Sequence, residues 1–105
     1  MADAPDVRAR YERDVAALRQ TADYLIAHGV SPRDTARIVV LMRNGLKADA
    51  RQATDPAIRA IIEARCLKRY GNALGPTADQ LFLKYGRWEA VIEAAARTGG
   101  KDLGF

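Results

Sequence analysis

The sequence has little of the side chains that build most small active sites. Its 105 residues include a single cysteine, Cys66, and a single histidine, His28. One cysteine excludes a disulfide within the chain, and no Cys/His cluster has the spacing of a zinc site. Glycine-rich phosphate loops and the motifs of zinc proteases and serine hydrolases are also missing. Any metal would depend on carboxylates alone, so we predict neither a metal site nor a cofactor.

Long apolar stretches are missing as well. No run approaches the roughly 18 residues of a membrane span, and the N-terminus has no signal-peptide pattern. The length fits one domain over residues 1–105, and 49% hydrophobic with 29% charged residues is typical of a folded globular chain. We therefore expect one hydrophobic core and no membrane association of the isolated domain.

Charge is distributed unevenly along the chain. Residues 1–32 carry four basic and five acidic residues, whereas residues 33–105 carry thirteen basic and eight acidic residues. A basic body with a pI near 9.6 is compatible with a polyanionic partner such as RNA or DNA. Many small domains without such a partner share this pI, so charge alone leaves the partner open.

Apolar periodicity and capping signals predict a compact all-α bundle of about five helices, with no convincing strand. The helices are expected from about Ala4 to His28, from Ser31-Pro32 to about Gln52 or Ala53, from Asp55-Pro56 to Tyr70-Gly71, from Thr77 to Tyr85-Gly86, and from about Arg87 to Thr98.

Each helix has a predicted buried stripe. These stripes comprise Val7, Tyr11, Val15, Leu18, Ala22 and Leu25 in the first helix, Ile38, Val39, Met42, Leu46 and Ala50 in the second, and Leu81, Phe82, Trp88, Val91 and Ile92 in the last two. The third helix, with Ile58, Ile61, Ile62, the stem of Arg65 and Leu67, is expected to be central and buried on more than one side. Gly45 in the middle of a helix indicates close packing or close approach of a ligand.

A second stripe of the second helix is cationic. Arg43, Lys47 and Arg51 follow one another at four-residue steps, so their charges stack along one side of the helix. Like charges stacked this way repel by a few tenths of a kcal/mol per pair unless something anionic lies across them. The spacing therefore predicts a phosphate-binding ridge.

His28 and Cys66 have ordinary explanations. A histidine at a helix C-terminus interacts with free carbonyl groups, and a cysteine in a helix interior is more often a small core residue than a nucleophile. The side chains left for chemistry are Arg, Lys, Tyr, Asp and Glu. Such groups can cleave RNA, because the ribose 2′-OH is an internal nucleophile that needs only positioning, charge stabilisation and proton transfer. DNA lacks this hydroxyl, and the scattered carboxylates do not favour a metal-dependent nuclease.

The segment over residues 36–105 resembles the C-terminal tip domains of bacterial polymorphic toxins, the cargo of Rhs-repeat and contact-dependent-inhibition effectors. The phrases that carry the resemblance are Met42-Arg43-Asn44-Gly45-Leu46-Lys47, Glu63-Ala64-Arg65-Cys66-Leu67-Lys68-Arg69-Tyr70-Gly71, Leu74-Gly75-Pro76-Thr77, Trp88-Glu89 with Val91-Ile92-Glu93, and Arg97-Thr98-Gly99-Gly100-Lys101-Asp102-Leu103-Gly104-Phe105. The resemblance implies an effector delivered from a producer cell into the target-cell cytoplasm, together with a cognate immunity protein whose surface should be acidic.

Taken together, these patterns predict a metal-independent ribonuclease, most plausibly acting on tRNA. The candidate catalytic residues are Arg43, Lys47, Glu63, Arg65, Tyr70 and Arg97, with Glu93 as a further proton-transfer candidate. The candidate RNA- or phosphate-binding residues are Arg51, Lys68, Arg69, Lys84, Thr98 and Lys101. Two alternatives stay open: a toxin that consumes nucleotides or NAD, and a non-enzymatic helical module that binds nucleic acid or acts as an adaptor.

Overall fold

The computed structural model describes residues 4–97 and residue 103, and its described part is a compact all-α bundle, as the sequence predicts. Five helices follow one another without a strand in this part of the chain. They are α1 (Ala4–Ala27), α2 (Pro32–Arg51), α3 (Pro56–Tyr70), α4 (Ala78–Tyr85) and α5 (Trp88–Ala95).

Capping residues define most of these boundaries. The side chains of Ser31 and Asp55 accept hydrogen bonds from backbone amides at the starts of α2 and α3, and each is followed by a proline. Thr77 and Gln80 form the reciprocal capping box that the sequence predicts for α4. Left-handed glycines, Gly71 and Gly86, end α3 and α4. These five boundary predictions are confirmed.

The last helix is shorter than predicted. It ends at Ala95 with Ala96 as its cap, and Arg97 is already outside helical structure. No side chain caps its start at Arg87. The predicted end at Thr98 lies outside the described residues.

The main core lies where α2 packs between α1 and α5, with α4 covering one side. Its buried members are Ala22, Ala36, Val39, Val40, Ala78, Val91, Ile92 and Ala95. Leu81, Phe82 and Trp88 pack against them, and the rings of Phe82 and Trp88 stack at 4.1 Å between centroids. The predicted contribution of the C-terminal helices to the core is confirmed.

A second, smaller cluster joins the two ends of the described chain. Tyr11 and Val15 of α1 are buried together with Leu103, and Leu46 and Ala50 of α2 pack against them. Leu103 is fully buried. The predicted stripe of α1 is thus divided between the two clusters.

The predicted central position of α3 is wrong. None of its residues is buried, and Ile58, Ile61 and Leu67 are 42%, 59% and 53% exposed. Apolar residues on several sides of a helix are compatible with a core helix, but the partners needed to cover them are absent around α3 in the described structure. The third helix is therefore peripheral.

The predicted stripe of α2 is displaced as well. Ile38 and Met42 are 38% and 43% exposed, whereas Ala36 and Val40 are buried together with the correctly predicted Val39. The close packing expected at Gly45 is not found, because a Cβ added there would meet nothing within 4 Å, and approach of a ligand to this glycine stays a prediction. The buried face of α2 is rotated toward the stripe on which the cations lie.

Candidate functional site

The cationic stripe of α2 is the continuation of its buried face. Ala36 and Val40 occupy the first half of this face, and Asn44, Lys47 and Arg51 follow at steps of three or four residues. Lys47 is only 5% exposed and Arg51 only 2%. The same helical stripe is thus apolar near its start and polar near its end.

Backbone carbonyl oxygens lie across these buried cations. Lys47 donates from Nζ to the carbonyl of Leu74 at 3.0 Å, and Arg51 donates to the carbonyl of Ala73 at 2.8 Å. Both bonds hold the segment between α3 and α4. Carbonyl dipoles thus provide the opposite charge that the sequence pattern requires, and each charged hydrogen bond stabilises the fold.

Arg43 holds a different part of the structure. Its guanidinium donates to the carbonyl of Ala94, and to that of Ala95 at 3.3 Å. These carbonyls belong to the last turn of α5, where a cation is favoured by the helix dipole. The three cations therefore connect α2 to the segment after α3 and to the end of α5.

The segment between α3 and α4 is closely fitted to Lys47. Gly75 has a φ of +125°, and a Cβ placed on it would lie 2.8 Å from Lys47 Nζ. The side chain of Asn72 accepts from the backbone amide of Leu74 at 2.8 Å, which fixes the turn before the glycine. Only glycine satisfies both the backbone conformation and the close approach at this position.

A cleft of about 260 Å³ opens beside these contacts. The C-terminal ends of three helices meet there: α3 contributes Tyr70, α4 contributes Tyr85, and the end of α5 is followed by Arg97. The complete lining consists of Val40, Arg43, Asn44, Lys47, Tyr70, Pro76, Leu81, Tyr85, Ala94, Ala95 and Arg97.

Four of the six predicted catalytic residues line this cleft: Arg43, Lys47, Tyr70 and Arg97. Arg97 is exposed, and within residues 4–97 no side-chain hydrogen bond or ion pair engages its guanidinium. Among residues 4–97 and 103, the lining contains no carboxylate and no histidine. The cleft thus combines three cations with phenol groups, a composition that suits an anionic ligand.

Sequence reasoning missed Asn44 and Tyr85 as lining residues. The signal for Tyr85 was present, because both α3 and α4 end in a basic residue, a tyrosine and a glycine. Each ending also has the same kind of cation–aromatic contact within itself. Arg69 lies 5.3 Å from the ring centroid of Tyr70, and Lys84 lies 5.3 Å from that of Tyr85. The endings act as helix caps, and the fold brings both tyrosines to the same cleft.

The other predicted site residues lie elsewhere. Arg65, Lys68 and Arg69 are exposed on α3, and Lys84 is exposed on α4, but none of them is a lining residue. Thr98 and Lys101 lie outside the described residues.

Two predicted residues have surroundings that bear on their roles. Arg51 is enclosed by protein and leaves no surface for the predicted phosphate contact. Glu63 is half-buried on α3 and Glu93 is exposed on α5, and neither lines the cleft. The structure therefore brings cations and tyrosines together but leaves the candidate carboxylates outside.

His28 and Cys66 are not part of the cleft. His28 Nδ1 lies 2.8 Å from the carbonyl oxygen of Tyr24, and the two rings stack at 4.0 Å between centroids. This is the helix-end contact that the sequence suggests. Cys66 is half-buried on α3.

Among residues 4–97 and 103, no three His, Cys, Asp or Glu side chains are grouped as metal ligands. None of the helices described is both long and apolar enough to cross a bilayer.

Comparison with protein-family models, curated proteins and solved structures finds no match to this chain.

Proposed function

We propose that the domain is a metal-independent ribonuclease that binds an RNA phosphate in the cleft. The observation that carries the proposal is the convergence of Arg43, Lys47 and Arg97 with Tyr70 and Tyr85 in one cleft. Cations placed around a transferring phosphoryl group stabilise the charge that develops in the transition state. None of the described lining residues is a carboxylate that would oppose this stabilisation.

The chemistry needs only groups of this kind. The ribose 2′ oxygen attacks the adjacent phosphorus, the bond from phosphorus to the 5′ oxygen breaks, and a 2′,3′-cyclic phosphate and a 5′-hydroxyl form. The proton of the 2′-OH passes to water, and a tyrosine hydroxyl can donate a proton to the leaving 5′ oxygen. Arg97 would contact the phosphate directly, while Arg43 and Lys47 add charge from positions held by backbone carbonyls.

The size of the cleft is compatible with a polymeric substrate. Its volume of about 260 Å³ is just below the range of about 300–1,000 Å³ of pockets that enclose drug-sized ligands. One phosphate with its sugar would occupy the cleft while the rest of an RNA strand stays outside.

The biological setting follows from the motif resemblance. In this proposal the domain is an antibacterial effector that acts on RNA, most plausibly tRNA, in the cytoplasm of a target cell. Its producer would be protected by a cognate immunity protein. An acidic surface on that protein could cover the cleft and compete with RNA for Arg97.

The experiment is an RNA cleavage assay with total RNA and a defined oligoribonucleotide, each with and without EDTA. We expect EDTA-resistant fragments that end in a cyclic phosphate. An oligonucleotide with a single 2′-deoxy sugar at the cleavage position should stay intact. Uncleaved RNA at high domain concentration, or cleavage at the deoxy position, would refute the proposal.

Variants test whether the cleft is the site. Arg97→Ala should lower the cleavage rate by about 10²-fold, the usual cost of removing one group that stabilises transition-state charge. Arg33→Ala is the matched control, because Arg33 is exposed at the start of α2 and is not a lining residue. Equal activity of the two variants would place the site elsewhere.

A further inference from the structure

The third helix has a surface that the fold does not use. α3 has 15 residues and none is buried. Helices of this length are only marginally stable in isolation, and most helical stability in proteins comes from packing of one face. Two isoleucines, Ile58 and Ile61, are nevertheless 42% and 59% exposed.

These isoleucines share one face of α3 with basic residues. Five exposed residues of α3 follow one another at steps of three or four positions, apart from the last two, which are adjacent. They are Ile58, Ile61, Arg65, Lys68 and Arg69. We call these five residues the α3 outer face. Its first half is apolar and its second half carries three positive charges.

No acidic residue of α3 balances these charges. The only carboxylate on the helix is Glu63, which lies about 160° around the helix axis from Arg65 at 3.6 residues per turn and is half-buried. In the described part of the chain, the apolar patch therefore adjoins a positive patch that no ion pair engages. A ligand that covers both patches must place apolar side chains against the isoleucines and negative charges against the basic residues.

The α3 outer face is separate from the cleft. Tyr70 is the residue of α3 that lines the cleft, and it follows Arg65 by five positions. Five positions correspond to about 140° around a helix. A strand bound in the cleft would therefore not cover Ile58 and Ile61.

We infer that the α3 outer face docks an acidic amphipathic helix of a partner protein. An RNA backbone supplies negative charge but offers no apolar surface for the isoleucines. A second copy of the same face would bring three positive charges against three others in a parallel pair, or against the isoleucines in an antiparallel pair. A helix with an apolar stripe flanked by glutamates satisfies both halves, because its stripe covers Ile58 and Ile61 while its carboxylates pair with Arg65, Lys68 and Arg69.

The probe for the test is a synthetic 18-residue helical peptide with a leucine stripe flanked by glutamates. Two further peptides have lysines in place of the glutamates or serines in place of the leucines. Binding to the complete domain is measured by fluorescence anisotropy, and backbone amide chemical shifts locate the contact. We expect only the glutamate peptide with its leucine stripe to bind, and we expect the backbone amide chemical shifts to change mainly for residues of α3.

Two variants have matched controls. Ile61→Ser should weaken peptide binding at least tenfold, whereas Leu83→Ser should not, because Leu83 is an 86% exposed apolar residue on α4. Arg65→Glu should weaken binding at low salt, whereas Arg33→Glu should not. Circular dichroism would confirm that each variant is folded, and exposed positions should tolerate these changes.

Four outcomes would overturn the inference. The first is equal binding of the glutamate and lysine peptides, and the second is an unchanged affinity of the Ile61→Ser variant for the glutamate peptide. The third is a change in the amide chemical shifts of α3 at a lower concentration of oligoribonucleotide than of peptide. The fourth is self-association of the domain that the Ile61→Ser substitution abolishes. If the peptide does not bind α3, the result expected in the RNA cleavage assay stays the same, since Ile61 and Leu83 do not line the cleft.

Discussion

Replacing Gly75 with alanine tests how tightly the buried cations of α2 are fitted to the segment they hold. The new Cβ would lie 2.8 Å from Lys47 Nζ, closer than real Cβ contacts. Because Lys47 is only 5% exposed, we expect the displaced ammonium group to give up its hydrogen bond to the carbonyl of Leu74, which measures 3.0 Å. The substitution therefore strains the backbone and breaks a charged contact at once.

The expected magnitude has two parts. Placing a non-glycine residue at a strained positive φ costs about 1–3 kcal/mol, and Gly75 has a φ of +125°. Losing a hydrogen bond to a charged group costs a further ~1.5–3 kcal/mol. The free energy of unfolding should thus fall by about 2.5–6 kcal/mol, a large share of the ~5–15 kcal/mol typical of a small domain.

Gly71→Ala is the matched control for this change. Gly71 also has a positive φ, +71°, but a Cβ added there would meet nothing within 4 Å. Its cost should be limited to the left-handed backbone, about 1–2 kcal/mol. The two variants therefore separate the close approach to Lys47 from the conformational requirement that both glycines share.

Urea denaturation followed by Trp88 fluorescence and by circular dichroism would measure both variants. A second background, Lys47→Met, removes the ammonium group and shortens the side chain by one heavy atom. In that background the Gly75→Ala penalty should shrink by at least about 1.5 kcal/mol, the lower bound for the lost charged hydrogen bond. The reasoning is refuted if Gly75→Ala costs no more than Gly71→Ala, or if its cost is the same in both backgrounds.

Other positions give simpler expectations, each measurable by thermal or urea unfolding. Thr77→Ala should cost about 1 kcal/mol by removing the capping box of α4, and Thr77→Ser should restore most of it. Leu103→Ala should cost about 2–5 kcal/mol because the side chain is fully buried against α1; a neutral result would contradict that placement. Gly45→Ala should stabilise α2 by up to about 1 kcal/mol, since the added methyl enters open space; destabilisation would indicate an unseen contact. Asp79→Ala should change stability by no more than about 1 kcal/mol, because its ion pair with Arg37 is exposed; a larger loss would mean the pair is shielded.

The sequence predicted the helices well because their ends carry local chemical signals. Ser31 and Asp55 cap their helices through contacts within three residues, and Gly71 and Gly86 end theirs through their own backbone conformation. Such signals act over a few residues, so they can be interpreted without knowing the rest of the fold. Burial depends on distant partners and was predicted less well.

The second and third helices show this limit. The α2 stripe was assigned from apolar residues, yet the face that packs inward includes Lys47 and Arg51, which the carbonyls of Leu74 and Ala73 satisfy. Those acceptors lie more than 20 residues away in sequence. The isoleucines of α3 were expected to be buried, but no other helix is positioned to cover them in the described structure.

The candidate site was predictable in residue type and only partly in position. Cations and tyrosines were singled out as the side chains available for chemistry, and four of the predicted residues line one cleft. Exposed cations such as Arg65 could not be told from cleft residues, because periodicity does not reveal which side of α3 the other helices approach. Tyr85 was overlooked because a tyrosine before a capping glycine also has a purely structural explanation.

The burial of Leu103 against Tyr11 and Val15 has a consequence for how the domain matures on the ribosome. These partners are about 90 positions apart in a chain of 105 residues, so their contact is among the most non-local in the fold and closes one of its longest loops. The helices and the main core can assemble from residues up to Ala95. The smaller cluster cannot be completed until Leu103 has left the ribosomal exit tunnel. The contact of Leu103 with Tyr11 and Val15 must therefore form after Leu103 has been synthesised and has emerged.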